Sequence, residues 1–383
     1  MKIKYVILFV VIMSLHCRSG NQAGSGASAT AHDWPVFRGD TRLSGVASGT
    51  LSTALKLLWK FKTGDQITSS PVVQDSLVYI GSGDGYIYAI NITTGQPVWS
   101  FNTGDAVEAP PLVYDSLVFV GSMNNNLYAL NARTGDSVWV YQTGDRIMGS
   151  ANLIAGDADQ TPRIIIGSYD NVMHCVDLQT GAKIWSFTTE SYINGAPATD
   201  GKQVIFGGCD AQLYVLSAAT GEKLSAVNTD SYIAASPAMA DHFAYLGNYD
   251  DKVLCIDLKA EKIIWEYKSE SNSAPFFSSP AVDDKHVVAG SRDNNLYCLN
   301  RATGKLRWVF HTRDEVDSSP VICDNKVVTG SGDGNLYMVD LDNGELLWSY
   351  DLASTITGSP AVVNGMVFIG AEDSYLYAFG ETE

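Results

Sequence analysis

Read as apolar and polar positions, the chain repeats one short pattern. From Ser69 it runs through "SPVV", "LVYIGS", "YIYAIN" and "VWSFNT", four brief runs rich in Val, Ile, Tyr and Phe. Polar turn residues such as "GDG" and "TTG" separate them. Runs of this length and composition, closed by Gly, Asp and Asn, predict β-strands. The middle runs are apolar on both alternations, which suits strands buried on both faces. Nothing in the repeats shows helical spacing over a sustained stretch.

The pattern recurs in step. The residue opening the first run stands at Pro71, Pro111, Ala151, Pro197, Pro237, Pro280, Pro320 and Pro360, at intervals of 40, 40, 46, 40, 43, 40 and 40 residues. A glycine closes the second run at Gly81, Gly121, Gly167, Gly207, Gly247, Gly290, Gly330 and Gly370. Three residues later comes Asp84, Asn124, Asp170, Asp210, Asp250, Asp293, Asp333 or Asp373, read as a residue that bonds its own turn. Two insertions lengthen the period, one over 154–162 and one in "SESNSAPFF" at Ser269–Phe277. Eight four-stranded units of this length predict an all-β fold, an eight-bladed β-propeller of four-stranded blades. One blade cannot bury its own faces, whereas a closed ring can.

The ring must close. The eighth unit stops at Phe379–Gly380 without a fourth run, while "LLWKFKTGD" ahead of the first unit carries Trp59, 40 residues before Trp99. The N-terminal strand is therefore expected to complete the last blade and pair two free edges.

Most fourth runs hold a tryptophan: Trp59, Trp99, Trp139, Trp185, Trp265, Trp308 and Trp348, with Ser225 in the fourth unit. In "YAINITTGQPVW" and "YALNARTGDSVW" the tryptophan ends an A-x-D/N-x-x-T-G-x-x-x-W motif, with further copies at 177–185, 300–308 and 340–348. This resembles the tryptophan-docking motif of pyrroloquinoline-quinone (PQQ)-type propellers. The fifth unit, "DLKAEKIIW", lacks Thr-Gly, and "DWPVFRGD" at 33–40 is similar to the lead-in before such propellers. The resemblance covers about residues 34 to 380. It implies that the seven tryptophans are structural, each stacking on the next blade. It leaves the function open, because fold does not fix function. The same repeats build quinoprotein dehydrogenases and the non-catalytic B lipoprotein of the outer-membrane β-barrel assembly (Bam) machinery.

The amino terminus stands outside the pattern. Lys2 and Lys4 precede an apolar run, Tyr5 to Leu15, too short to span a bilayer as a helix. Cys17 follows, then a Gly/Ser/Ala-rich stretch. The expected organisation is a signal peptide at 1–16, a flexible tether at 17–33 after a lipidated Cys17, and a propeller at 34–383. Ordinary cleavage near Ala27 to Ala29 is the alternative, since Ser14 and His16 depart from the usual lipidation box. Either way the protein is exported, and membrane contact is expected only through a lipid anchor, at the outer membrane facing the periplasm or at the cell surface. The net charge of −17 argues against nucleic acid as a partner.

Function is sought where the blades differ. Residues just before each inner strand should rim the central channel on the face that carries the second-to-third-strand loops. Three positions before each opening residue stand Thr68, Glu108, Met148, Asn194, Ala234, Phe277, Asp317 and Thr357. Two further back stand Gln66, Ala106, Arg146, Tyr192, Tyr232, Pro275, Glu315 and Thr355. The candidate partner or ligand rim is Gln66, Glu108, Arg146, Tyr192, Asn194, Tyr232, Phe276, Phe277, Glu315 and Asp317, with the two Phe as aromatic anchors if exposed. The expected partner is an envelope protein; the resemblance points to an outer-membrane barrel-assembly subunit.

Catalysis is not expected. Quinoprotein dehydrogenases hold PQQ and calcium over the channel with Glu, Asn and Asp ligands, and many place two adjacent cysteines beneath. Here Glu108, Asn194 and Asp317 have the right types but belong to blades two, four and seven. No two cysteines are adjacent, no C-x-x-C-H is present, and the histidines lack ligand spacing. Cys175, Cys255 and Cys298 replace the motif's alanine and read as buried thiols. The expectation is a scaffold with no catalytic residue, metal or cofactor. The alternatives are a PQQ- or other small-ligand-binding protein, and a surface adhesin or polymer binder, for which Arg38–Gly39–Asp40 spells an adhesion tripeptide.

Overall fold

The computed structural model describes residues 33–156, 161–269 and 274–382. Cys17, the expected signal peptide at 1–16 and all of the expected tether but Asp33 lie outside the described residues, as do 157–160 and 270–273 within the two insertions. Every regular element among the described residues is a β-strand. They form eight antiparallel four-stranded blades, seven of them in chain order from the axis outward. Blade 1 comprises Val72–Gln74, Leu77–Gly81, Tyr86–Asn91 and Pro97–Asn102. Blade 8 has only three strands of its own, ending in Tyr375–Gly380, and takes Lys56–Lys62 as its fourth, from Lys56 opposite Gly380 to Lys62 opposite Tyr375. The ring closes as the tryptophan spacing predicts.

Second and third strands are buried between neighbouring blades, as in Leu117–Gly121, whereas fourth strands alternate with solvent. The repeated glycine has a specific task. The residue four positions before each opening residue is apolar and fully buried: Ile67, Val107, Ile147, Ile193, Ile233, Phe276, Val316 and Ile356. Each seats on the closing glycine of the preceding blade, where a Cβ would overlap it, as at Gly81 against Val107 or Gly247 against Phe276. This corrects one expectation. Phe276 is 1% exposed and packs on Tyr297, so it is a seam residue and not a rim anchor. The insertion before blade 6 left the register of this socket unchanged.

The tryptophans join blades. A β-bulge interrupts every third-to-fourth-strand pairing one residue before the tryptophan position, as between Ala89↔Trp99 and Ile90↔Pro97. The bulge twists the edge strand and aims the indole at the next blade. There the indole N–H donates to a backbone carbonyl, Trp99 to Ala132 at 2.9 Å and Trp308 to Leu341 at 2.8 Å. The ring lies over the Thr-Gly glycine, where a Cβ at Gly135 would stand 2.7 Å from Trp99. Trp348 closes the cycle by donating to Leu55 O at 3.0 Å. The seam between blades 4 and 5 is the exception. It has Ser225 in place of the tryptophan and Glu261, at φ 54°, in place of the glycine. The two departures from the motif are two halves of one missing contact.

At the end of the inner strands away from the loop residues, the lead-in threads round the ring. Trp34 pairs with Val73 of blade 1, and Pro35 O accepts from Val113 N of blade 2 at 2.7 Å. Thr41 O accepts from the Asn152 side chain of blade 3 and from Thr199 N of blade 4, each at 2.8 Å. Arg42 O, Ser44 O and Gly45 O accept in turn from Met239, Val282 and Ile322 of blades 5, 6 and 7. Val46–Ala47 then adds a parallel fifth strand to blade 7. Arg38 is 2% exposed and donates to Ser319 O and Pro320 O. Burial pulls its guanidinium down to about 9, against the opposing pull of Asp40. The Arg-Gly-Asp tripeptide is thus part of the strap, with its arginine hidden from any receptor.

Candidate functional site

The opposite end of the channel carries the varied residues. In every blade the residue two positions after the closing glycine donates its N–H to the carbonyl of the residue five before that same blade's opening residue. These bonds span 2.8 Å (Gly332 to Glu315) to 3.1 Å (Arg292 to Pro275). This ring of bonds gives one rigid backbone frame in which only side chains change. All eight residues three before an opening residue line one cavity of about 200 Å³, with Phe37 of the lead-in also in its wall. The structure therefore brings Glu108, Asn194, Phe277 and Asp317 together. Arg146, Tyr192, Tyr232 and Glu315 sit on the frame around it, and Gln66 contributes its carbonyl to Gly83.

Below the mouth, serines knit neighbouring blades. Ala196 N donates to Ser236 Oγ, Ser236 N to Ser279 Oγ, Ser279 N to Ser319 Oγ, Ser319 N to Ser359 Oγ and Ser359 N to Ser70 Oγ, at 2.8–3.0 Å. The belt stops at blade 2, where Pro110 has no hydroxyl. The repeated acidic residues are also structural. Asp84 accepts from Tyr86 N of its own turn at 3.0 Å, and also from Gly64 N and the Tyr88 hydroxyl. In blade 5, with Leu254 at the tyrosine position, Asp250 instead lies near Lys252 and Lys268.

The mouth is chemically lopsided. On one side Arg146 stacks over Tyr169 at 4.3 Å, and Tyr169 lies nearly parallel to Tyr192, 5.0 Å away and tilted by 16°. Tyr232 meets Tyr249, which meets Phe277 edge-on at 4.8 Å. Arg292 covers Phe277 at 3.6 Å and grips Asp317 with Nε and Nη2, with Glu315 at 3.2 Å. The bond to Asp317 raises the Arg292 pKa further and fixes the carboxylate. Burial raises that of Tyr169. Asn194 donates to Cys209 Sγ at 3.2 Å, while its buried Oδ1 has no partner. Tyr169, Cys209, Tyr249 and Arg292 escaped sequence reasoning. They occupy one repeat position, two after each closing glycine, that varies as freely as the rim residues and was the signal available.

The candidate calcium ligands Glu108, Asn194 and Asp317 share the cavity wall. No three His, Cys, Asp or Glu side chains converge as a metal site among the described residues. Asp317 is already committed to Arg292. Cys175 and Cys298 are buried, with thiols pushed up to about 12 by desolvation, and Cys255 to about 11.

The fold and its tryptophan seams define a PQQ-like eight-bladed propeller. The chain belongs to the family described as outer membrane protein assembly factor BamB, whose pattern matches residues 52–158, 149–224 and 209–383. No curated protein matches by sequence. Among solved structures, BamB from Moraxella catarrhalis is 19% identical with a TM-score of 0.71, covering 86% of this chain and 98% of that one. Quinohemoprotein alcohol dehydrogenase from Comamonas testosteroni is 15% identical with a TM-score of 0.80, covering 93% and 82%. The computationally designed Ika8 protein is 20% identical with a TM-score of 0.74, covering 85% and 100%. At these identities the likeness is one of fold.

Proposed function

We propose that this protein is a non-catalytic, exported scaffold that holds an outer-membrane assembly partner on its loop-bearing rim. The observation that carries the reading is the contrast between frame and rim. Eight blades repeat the same sockets and backbone bonds, and seven seams keep the tryptophan staple, whereas the residues at the channel mouth differ from blade to blade. Family membership supports a role alongside outer-membrane assembly proteins. Attachment through a lipidated Cys17 belongs to the same proposal, with the propeller facing the periplasm. So does operation without quinone, supported by the engaged Asp317 and by cysteines that are not adjacent.

The test is in-cell crosslinking of the full-length protein, with Cys17→Ala and a Glu108→Ala, Arg146→Ala, Asp317→Ala triple variant alongside. Recovery of a barrel-assembly protein that the triple variant loses supports the scaffold. No envelope protein enriched by the unmodified rim sinks it.

A further inference from the structure

Exposed large apolar side chains are sorted by type. The aliphatic ones, from Leu58 and Val98 to Leu346, all lie on outer fourth strands. The aromatic ones, Tyr192, Tyr232 and Tyr249, are 49%, 56% and 43% exposed, and all lie at the mouth. Tyrosine and arginine are enriched at protein interfaces as well. This arc offers flat, hydroxyl-tipped rings, with the half-buried Met148 and Ala234 in the cavity wall beside them.

Ring orientation is set in advance. Tyr192 is backed by the nearly parallel Tyr169, itself backed by Arg146, so one face of the stack is left to the outside. Tyr232 and Tyr249 are braced through Phe277 and Arg292. Preorganised rings lose little freedom on binding. Beside them stand planar polar groups held in place. The Asp317 carboxylate is fixed by Arg292, and the Asn194 amide is fixed by Cys209. Asn194 Oδ1 is buried in the cavity wall without a donor, and a buried acceptor of that kind calls for one.

We infer that the aromatic half of the mouth binds a neutral polysaccharide. Pyranose C–H faces lie on Tyr192 and Tyr232, and a terminal sugar hydroxyl enters the cavity, where the Asn194 amide turns its Oδ1 out of the wall to accept from it. Sugars present an apolar face ringed by hydroxyls, which matches exposed rings next to fixed carboxylate and amide groups. Charge argues against acidic polymers, because the mouth sets Glu108, Glu315, Asp317 and Glu372 against Arg146 and Arg292. This inference is independent of the scaffold proposal.

The experiment is titration calorimetry of the full-length protein with chitotetraose, cellotetraose and maltotetraose. Tyr192→Ala, Tyr232→Ala and Asn194→Leu are compared with Leu224→Ala, a fourth-strand control, and urea midpoints confirm that each variant is folded. The expected result is saturable binding of at least one tetrasaccharide, weakened about tenfold or more by each mouth variant and unchanged by Leu224→Ala. No saturable heat with any of the three, or binding that survives Tyr192→Ala with Tyr232→Ala, overturns the inference. If those tyrosine variants lose a crosslinked envelope protein while the unmodified chain ignores all three sugars, the arc is a protein surface and the saccharide reading fails. Glu108→Ala, which touches neither the Tyr192 stack nor the Arg292–Asp317 pair, reads the scaffold proposal separately by crosslinking.

Discussion

The unstapled seam between blades 4 and 5 can be rebuilt, and its two halves should work only together. At the glycine-backed seams, an added Cβ would lie 2.6–2.8 Å from the tryptophan ring, as at Gly221 against Trp185 and Gly344 against Trp308. Glu261 holds a real Cβ at that position. Ser225→Trp alone therefore cannot seat its indole, and it leaves a large ring in solvent at no gain in stability. Glu261→Gly alone relieves a residue at φ 54° and gains about 1 kcal/mol at most, offset in part by the freedom of glycine in the unfolded chain. The double variant recovers an interblade tryptophan. Removal of such a residue costs about 3–5 kcal/mol, and half of that is a modest expectation at a seam shaped without it. The predicted coupling is about 2 kcal/mol, within the range found for residues in direct contact. Urea unfolding of the four proteins of this cycle, compared at constant m, measures it. Additive effects within about 0.5 kcal/mol would refute the claim that the two positions form one contact.

Other expectations follow from the same framework. Trp308→Ala should destabilise by about 3–5 kcal/mol, and exposed Leu306→Ala by no more than about 0.5, both read from urea midpoints. Gly121→Ala drives a Cβ into Ile147 and should cost about 1–3 kcal/mol, part of which Ile147→Ala restores in the double variant. Burial opposes the charge on Asp333, but bonds from Arg313 N, the Tyr337 hydroxyl and Asn335 N outweigh it and hold the carboxyl below its ordinary value. A lowered carboxyl stabilises the fold above the unfolded-state value of 3.8 and loses that contribution as pH falls through the folded value. Asp333→Asn should thus be less stable at neutral pH and show a shallower fall of the urea midpoint on acidification. An unchanged acid profile would contradict that assignment.

The blades, their number and the closing strand were legible because each depends on a repeated residue whose spacing survives in one dimension. Trp59, 40 residues ahead of Trp99, is enough to place a strand in blade 8. Phe276 was misread because an insertion precedes it, and the count from Pro280 was not carried to the neighbouring glycine, Gly247. Its socket belongs to two blades at once. Ser225 and Glu261 stand in different repeats of the sequence, and only the folded ring sets them at one seam. The loop-tip residues Tyr169, Tyr249 and Arg292 share a face with the rim only once the sheet is folded. The path of the lead-in could not be read at all. Its contacts are mostly backbone carbonyls, which leave no mark on residue type, apart from the buried Arg38.

The strap has a mechanical meaning. A pull on the amino-terminal end at Asp33 does not reach the strand that closes the ring directly. It meets Trp34 against Val73 first, then the bonds to blades 2 through 6, then the Val46–Ala47 strand and the Arg38 bonds on blade 7, and only afterwards Lys56–Lys62. Tension is therefore relieved by peeling, one attachment at a time, and the slack released at each step spares the next. The strap acts as a fuse in series with the propeller, so the disc can ride out a tug that would split a ring pulled open at its closing strand.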